Sequence, residues 1–326
     1  MVMQMRSALF LGLLCLFPVV FQNLYYIHLI NMAMITMIVA MGLNVLVGYC
    51  GQISIGHAAF WAVGAYASGL ATTRFGMPFI VGLIASILTC AALGYVVGRP
   101  TLRLRGAYLA IASIGVGEIV QLVLLNWIPV TGGALGMKSI PFPSLFGFEF
   151  DSSVRLYYLI LAVTAGIFAI TGRIASSPLG RAFRAVKQNE VAAEVMGVDT
   201  AHLKLLAFVI STAYAGVAGS LYAHMQGYLS PYGFGFRESV SILCMVLAGG
   251  MGHQAGPIVG VLLLMYAREA FRPFQDYQLV VYGLLLIGVI VFMPKGVVGS
   301  IPDVVSHVRR WLGRRESRAG PGAMSS

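Results

Sequence analysis

Within an otherwise apolar chain, Gln52, Ser54 and His57 crowd into one stretch, Gly48 to His57, that also holds Gly51 and Gly56. Short polar side chains beside glycines supply donors and acceptors without a fixed charge, which would suit the lining of a path for a polar solute. The same groups suit a structural task better, satisfying the backbone amides that a broken or re-entrant helix leaves open inside a bundle. A metal site at His57 is not expected, because no second ligand stands at helical spacing from it. Glu118 is the well-centred carboxylate among the apolar runs. An ionisable group there costs at least roughly 2.5 kcal/mol unless it is paired or faces water. A partner on another helix is therefore expected, since Ser113 lies on a different face of the same segment. The residues leave open whether Glu118 is a contact in a pathway or a protonated or hydrogen-bonded structural residue.

A second kind of chemistry, recognition of a partner surface, is suggested by Ser177 to Gly197, the longest charged interruption in the sequence. Ser177 and Pro178 read as a helix start and Gly197 as its stop. On one helix between them, Leu179, Phe183, Val186, Ala193 and Met196 share a stripe, while Arg181, Arg184, Lys187 and Gln188 point elsewhere. The cations precede Glu190 and Glu194, the reverse of what a helix dipole favours. A partner surface or the charge of one membrane side is a better reason for that order. Gly249, Gly250, Gly252, Gly256 and Pro257 form a hinge or a close helix crossing. Thr131 to Gly136 is a glycine loop.

These residues have to be positioned by membrane spans. Of 326 residues, 59% are hydrophobic and 10% charged, against roughly 25% charged in a soluble domain. The fold class expected is all-α, a polytopic helical membrane protein of about ten spans. They are read at Met1–Val20, Met32–Val47, Ala58–Thr72, Pro78–Val97, Tyr108–Trp127, Leu156–Ile170, Leu203–Ala223, Ser239–Ala248, Ile258–Ala267 and Leu279–Phe292. Several are short against the roughly 20 residues of a full crossing, as broken helices around a pathway would be. Met1–Val20 resembles a signal peptide but lacks a clear small-residue cleavage site, and is read as a retained span. The transmembrane domain is placed at 1–301, with a cytoplasmic loop at 174–203, and the basic tail at 302–326 is expected to be largely disordered.

With the N-terminus in the cytoplasm, fifteen of the 21 lysines and arginines fall inside, among them Arg99, Arg103 and Arg105. This bias supports ten spans with both termini in the cytoplasm and explains the net charge of +10 without nucleic acid. Nine spans with the start outside would lose only the first segment and leave the inside count nearly unchanged, so the rule fixes the loops better than the start. Cys15, Cys50, Cys90 and Cys244 form no pair at ligand spacing, so neither a disulfide framework nor a metal site is indicated. No phosphate-binding Gly-x-x-x-x-Gly-Lys-Ser/Thr loop occurs, so the chain is not itself an ATPase. An ion-coupled secondary transporter would carry several intramembrane carboxylates or histidines, and a membrane-bound enzyme would cluster them at one face. Neither pattern is present.

Four separated motifs resemble one family, the M-type permease subunit of bacterial branched-chain amino acid ABC importers. They are Gly42-Leu43-Asn44 with Gly51 to Phe60, Gly117-Glu118-Ile119 with Thr131 to Gly136, Ser177 to Gly197, and Ala248 to Gly252 with Gly256-Pro257. The resemblance implies an inner-membrane subunit paired with a homologous H-type permease. It further implies two ATPase subunits that carry ATP and Mg, and a periplasmic or lipid-anchored binding protein that delivers leucine, isoleucine or valine. No cofactor would be bound by this chain. Relatives of this architecture serve other amino acids or urea. Ser177–Gly197 would be the coupling helix, with Leu179, Phe183 and Val186 filling a groove on the ATPase and Arg181, Arg184, Glu190 and Glu194 at its rim. Thr131 to Gly136 would face the binding protein. The family often carries a cation three positions after Glu118, where this sequence has Gln121.

Overall fold

The computed structural model describes residues 23–101, 106–145, 147–271, 283–284, 287–288 and 296–300. The expected first span, residues 102–105 of the arginine loop, most of the expected last span and the tail lie outside the described residues.

α1 (Leu24–Leu43) begins at Asn23, whose Oδ1 accepts the Tyr25 amide at 3.0 Å, and runs into a π-helical turn at Asn44–Tyr49. The backbone is irregular over 50–56 and becomes helical again in α2 (His57–Thr73). The break is thus narrower than the expected 48–57, since Gly48 and Tyr49 still belong to the π turn and His57 starts the next helix. α3 (Phe79–Thr101) and α4 (Ala107–Asn126) follow. A loop then carries the short α5 (Ile128–Thr131) and an antiparallel hairpin, β1 (Ser144–Leu145) with β2 (Phe148–Glu149), in which Ser144 faces Glu149. α6 (Ser153–Ser176), α7 (Pro178–Gln188), α8 (Glu190–Val195), α9 (Thr200–Gln226), α10 (Phe236–Gly249) and α11 (Gly256–Ala270) follow.

Five described helices are long and apolar enough to cross a membrane, at Leu24–Tyr49, Phe79–Pro100, Tyr108–Asn126, Ser153–Ser176 and Thr200–Gln226. α2, α10 and α11 have 17, 14 and 15 residues, below the roughly 20 of a full crossing. α1 with its π turn is apolar on every side, and 89% of its apolar stretch is buried, as suits a central helix. α9 packs against α1, α2 and α3. Its approach to α2 is close because Gly64, Gly216 and Gly219 meet there, and a Cβ at Gly219 would collide with the backbone of Trp61 and Ala65.

The 27 residues of α9 reach about 40 Å. At its end, Leu229 exchanges backbone hydrogen bonds with Met137 at 2.8 and 2.9 Å, which fixes the 127–152 loop there. At its start, Lys204 forms an ion pair with Glu190 of α8. The two loops therefore stand at opposite ends of one helix.

One sequence expectation is corrected in α7 and α8. The interruption is two short helices, because Asn189 takes an extended conformation and its Oδ1 accepts the Ala192 amide at 3.0 Å, starting a new helix. The charge order that opposed a single dipole suits two, with Lys187 in the last turn of α7 and Glu190 in the first turn of α8. Ser177 and Pro178 start α7 as expected, with Ser177 Oγ accepting the Gly180 amide at 3.3 Å.

Candidate functional site: the broken segment and the helix beneath it

The irregular segment 50–56 is held by side chains from four other elements. Ser113 Oγ of α4 accepts the Ile55 amide at 2.9 Å, and Ser239 Oγ of α10 accepts the Ala58 amide at 3.0 Å. His57 Nε2 lies 3.0 Å from Ser211 Oγ of α9. Lys187 of α7 donates to the Gly48 carbonyl at 2.7 Å, where the π turn is about to end. Desolvation holds the Lys187 ammonium below the ordinary lysine range. The Ser113, Ser239 and Lys187 bonds satisfy backbone groups that a broken helix would leave open, which is the structural role foreseen for polar residues at this place.

Gln52, Ser54 and His57 are not those satisfying residues. All three are buried, and among the described residues Gln52 Oε1, Ser54 Oγ and His57 Nδ1 have no hydrogen-bond partner. An unpaired buried polar group costs roughly 1–3 kcal/mol. Three such groups within six residues form a polar row along the chain whose acceptors and donors suit water or a polar ligand. Of the three, Gln52 lines a cavity of about 240 Å³ that lies between Cys50, Gln52 and Ile53 on one side and Lys187, Glu190 and Lys204 on the other.

The glycine-rich turn is drawn into the same assembly. Asn44 Oδ1 accepts the Gly252 amide at 2.9 Å, and Asn44 Nδ2 donates to the His253 carbonyl at 3.0 Å. Gly250 and Gly252 both have positive φ, +117° and +80°, so the tight turn from α10 to α11 depends on them. Gly249 and Gly256 are in backbone contact, and a Cβ at Gly249 would overlap the Gly256 carbonyl. Pro257 sits in the first turn of α11, where its missing amide donor costs nothing.

The family model described as "Branched-chain amino acid transport system / permease component" matches residues 25–290. The chain belongs to this permease family. It is 38% identical over 293 residues to the High-affinity branched-chain amino acid transport system permease protein LivM of Salmonella typhimurium, covering 83% of this chain and 69% of that protein. It is 28% identical to LivH of the same organism, over 82% of this chain and 92% of LivH. The Probable branched-chain amino acid transport permease protein LivM of Methanocaldococcus jannaschii is 24% identical over 84% of this chain. No solved structure matches it. The permease is an integral membrane protein, as its family and its five long apolar helices require.

In this permease the apolar face of α7 is turned inward. Phe183 and Val186 are 0% and 4% exposed, so they are not free to fill a groove on another subunit. The amphipathic pattern is real, but its cover is the permease's own bundle, which Leu179 also packs against. Met196, expected on the buried stripe, is 83% exposed, because the restart at Asn189 turns α8 out of phase with α7. Glu190 is tied to Lys204, and Glu194 accepts from Thr200 Oγ1 at 2.7 Å, so both carboxylates fasten α8 to α9. Arg181 and Arg184 are exposed as expected, and so are Val191, Val195 and Met196 of α8.

Glu118 lies on an exposed face of α4, and no described residue hydrogen-bonds or ion-pairs with it. It does stand beside the break, sharing a small crevice with Ile55, Gly56 and Ser239. Sequence reasoning missed Asn44, Lys187, Ser211 and Ser239, whose roles come from long-range contacts. Asn44 left the best signal, as an amide in an apolar run, two residues after Gly42 and four before Gly48.

Proposed function

We propose that this permease is a transmembrane subunit of an ABC importer that moves branched-chain amino acids, leucine, isoleucine and valine, across a bacterial inner membrane. The 38% identity to LivM over most of the chain supports this most strongly. The relatives also include LivH, which supports pairing with a homologous second permease. ATP and Mg belong to partner ATPase subunits, and a binding protein delivers the cargo at the end of α9 that carries the 127–152 loop. No catalytic residue is assigned to this chain.

In this reading Gln52, Ser54 and His57 line the route, offering acceptors and donors to a zwitterion without a fixed charge. The orphaned polar row at the break favours that role over a structural one. α7 and α8 are the coupling element, contacting the ATPase through Arg181, Arg184, Val191, Val195 and Met196, whereas Phe183 and Val186 anchor them to the bundle. Movement of α7 reaches the break through Lys187 and the Gly48 carbonyl, and reaches the 249–257 turn through Asn44. ATP binding would then rock the spans about that node.

The test is reconstitution of the permease with its partner subunits in vesicles. Binding-protein-dependent uptake of labelled leucine should require ATP. ATP-independent uptake driven by an ion gradient would overturn the importer reading.

A further inference from the structure

Among the described long spans α3 and α4 are the least enclosed, and their exposed faces differ in chemistry. α3 turns Val81, Ile84, Leu88 and Val96 outward, a face that hydrocarbon matches. α4 is the less enclosed of the two, with 17% of its apolar stretch buried. Its exposed stripe is Ile111, Gly115, Glu118 and Leu122, at the spacing that puts side chains on one helical face.

Lipid does not match a carboxylate placed near the middle of a span. Nor is α4 free to turn Glu118 inward. Ser113, on its other side, accepts the Ile55 amide, and Gly117 packs beside Gly56, so the rotation of the helix is fixed by the break. At Gly115 there is nothing within 4 Å of the place a Cβ would occupy, leaving room for close approach of another helix. The Glu118 carboxyl offers acceptor oxygens, so a hydrogen-bond donor on an approaching helix would satisfy it.

We propose that the Ile111–Leu122 face of α4 is the surface on which the second, homologous permease subunit packs, with Glu118 accepting from a donor side chain of that subunit. The occupant is a membrane helix, since the stripe lies within the span. The proposal rests on the reading of this chain as one of two paired permeases. Packing there would also close the side of the break formed by Ile55 and Gly56.

Site-directed spin labelling tests it. Single cysteines replace Leu122 on α4 and Leu88 on α3 in a chain whose Cys15, Cys50, Cys90 and Cys244 are alanine, and each is labelled with a nitroxide in lipid nanodiscs. Collision with oxygen at Leu122 should fall to that of a buried position when the H-type permease is added, while Leu88 stays unchanged. A formed complex in which Leu122 remains as oxygen-accessible as Leu88 overturns the surface and leaves pairing intact. Failure of any H-type permease to co-purify overturns the pairing itself. Shielding by a second copy of this chain alone overturns the choice of occupant. Glu118→Leu should reduce the yield of paired permease and Glu118→Gln should restore it. Equal yields for wild type and Glu118→Leu would remove the carboxylate from the interface.

Discussion

Lys187 donates to the Gly48 carbonyl where the π turn gives way to irregular backbone, so its ammonium occupies an acceptor that the helix has released. A hydrogen bond from a charged group contributes roughly 1.5–3 kcal/mol. Lys187→Met keeps most of the stem and removes that bond. Its expected outcome is normal recovery of the ATPase subunits, retained ATP hydrolysis and leucine uptake reduced several-fold, with Lys187→Arg restoring part of the loss. Uptake and phosphate release measured on the same vesicles check this. Phe183 and Val195 form a contrasting pair. Phe183→Asp places a charge in the packed core and should abolish the cooperative thermal transition of the isolated permease. Val195, 81% exposed, should tolerate Asp within about 0.5 kcal/mol of stability while the complex loses ATPase on washing.

At the scale of elements, the division of α7 from α8 rests on Asn189, which closes one helix and caps the next. Asn189→Ala removes the cap, at a cost of about 1 kcal/mol, and should accelerate amide exchange at Ala192 and its neighbours with little change in α7. Gly219→Leu is a harsher test of an element contact. The side chain would have to displace the backbone of α2 at Trp61 and Ala65, so purified protein should melt at a lower temperature or fail to accumulate. The elements themselves were largely legible in the sequence. Apolar runs located α2, α3, α4, α9, α10 and α11 to within four residues at either end, whereas α1 begins eight residues before the expected Met32 and α6 runs six residues past the expected Ile170, and Ser177-Pro178 marked the start of α7. What local pattern could not show is which surface covers an amphipathic face. Phe183 and Val186 have the same spacing whether they pack on their own bundle or on a partner, and only the folded chain distinguishes them. The stop at Asn189 was legible in principle, as a capping residue followed by an acidic first turn, but the apolar stripe carried across it. The polar row at 52–57 was found by residue type, whereas its distribution between satisfied backbone and orphaned side chains required the positions of Ser113, Ser211 and Ser239.

For the whole molecule, α9 is the axis that orders the rest, with the 127–152 loop at one end and α7 and α8 at the other. Cysteines at Glu149 and Gln188 should therefore label from opposite sides of the membrane. Modification of Glu149→Cys in intact cells and of Gln188→Cys only after permeabilisation is the expected pattern, and labelling of both from one side would reverse the assigned topology. The depth of the break has a consequence for permeation. His57 meets Ser211, eleven residues and about 16 Å along α9 from Thr200. The polar groups of the break thus reach well into the thickness of the bundle from the α7 end. Of the roughly 40 Å spanned by α9, only about 24 Å, the part alongside α2, separates that row from the other end. A solute entering from the loop side would face a resistance that is thin and off-centre, so exchanges of side-chain bulk along that part of α2 and α9 would govern permeability more steeply than equal exchanges nearer Thr200.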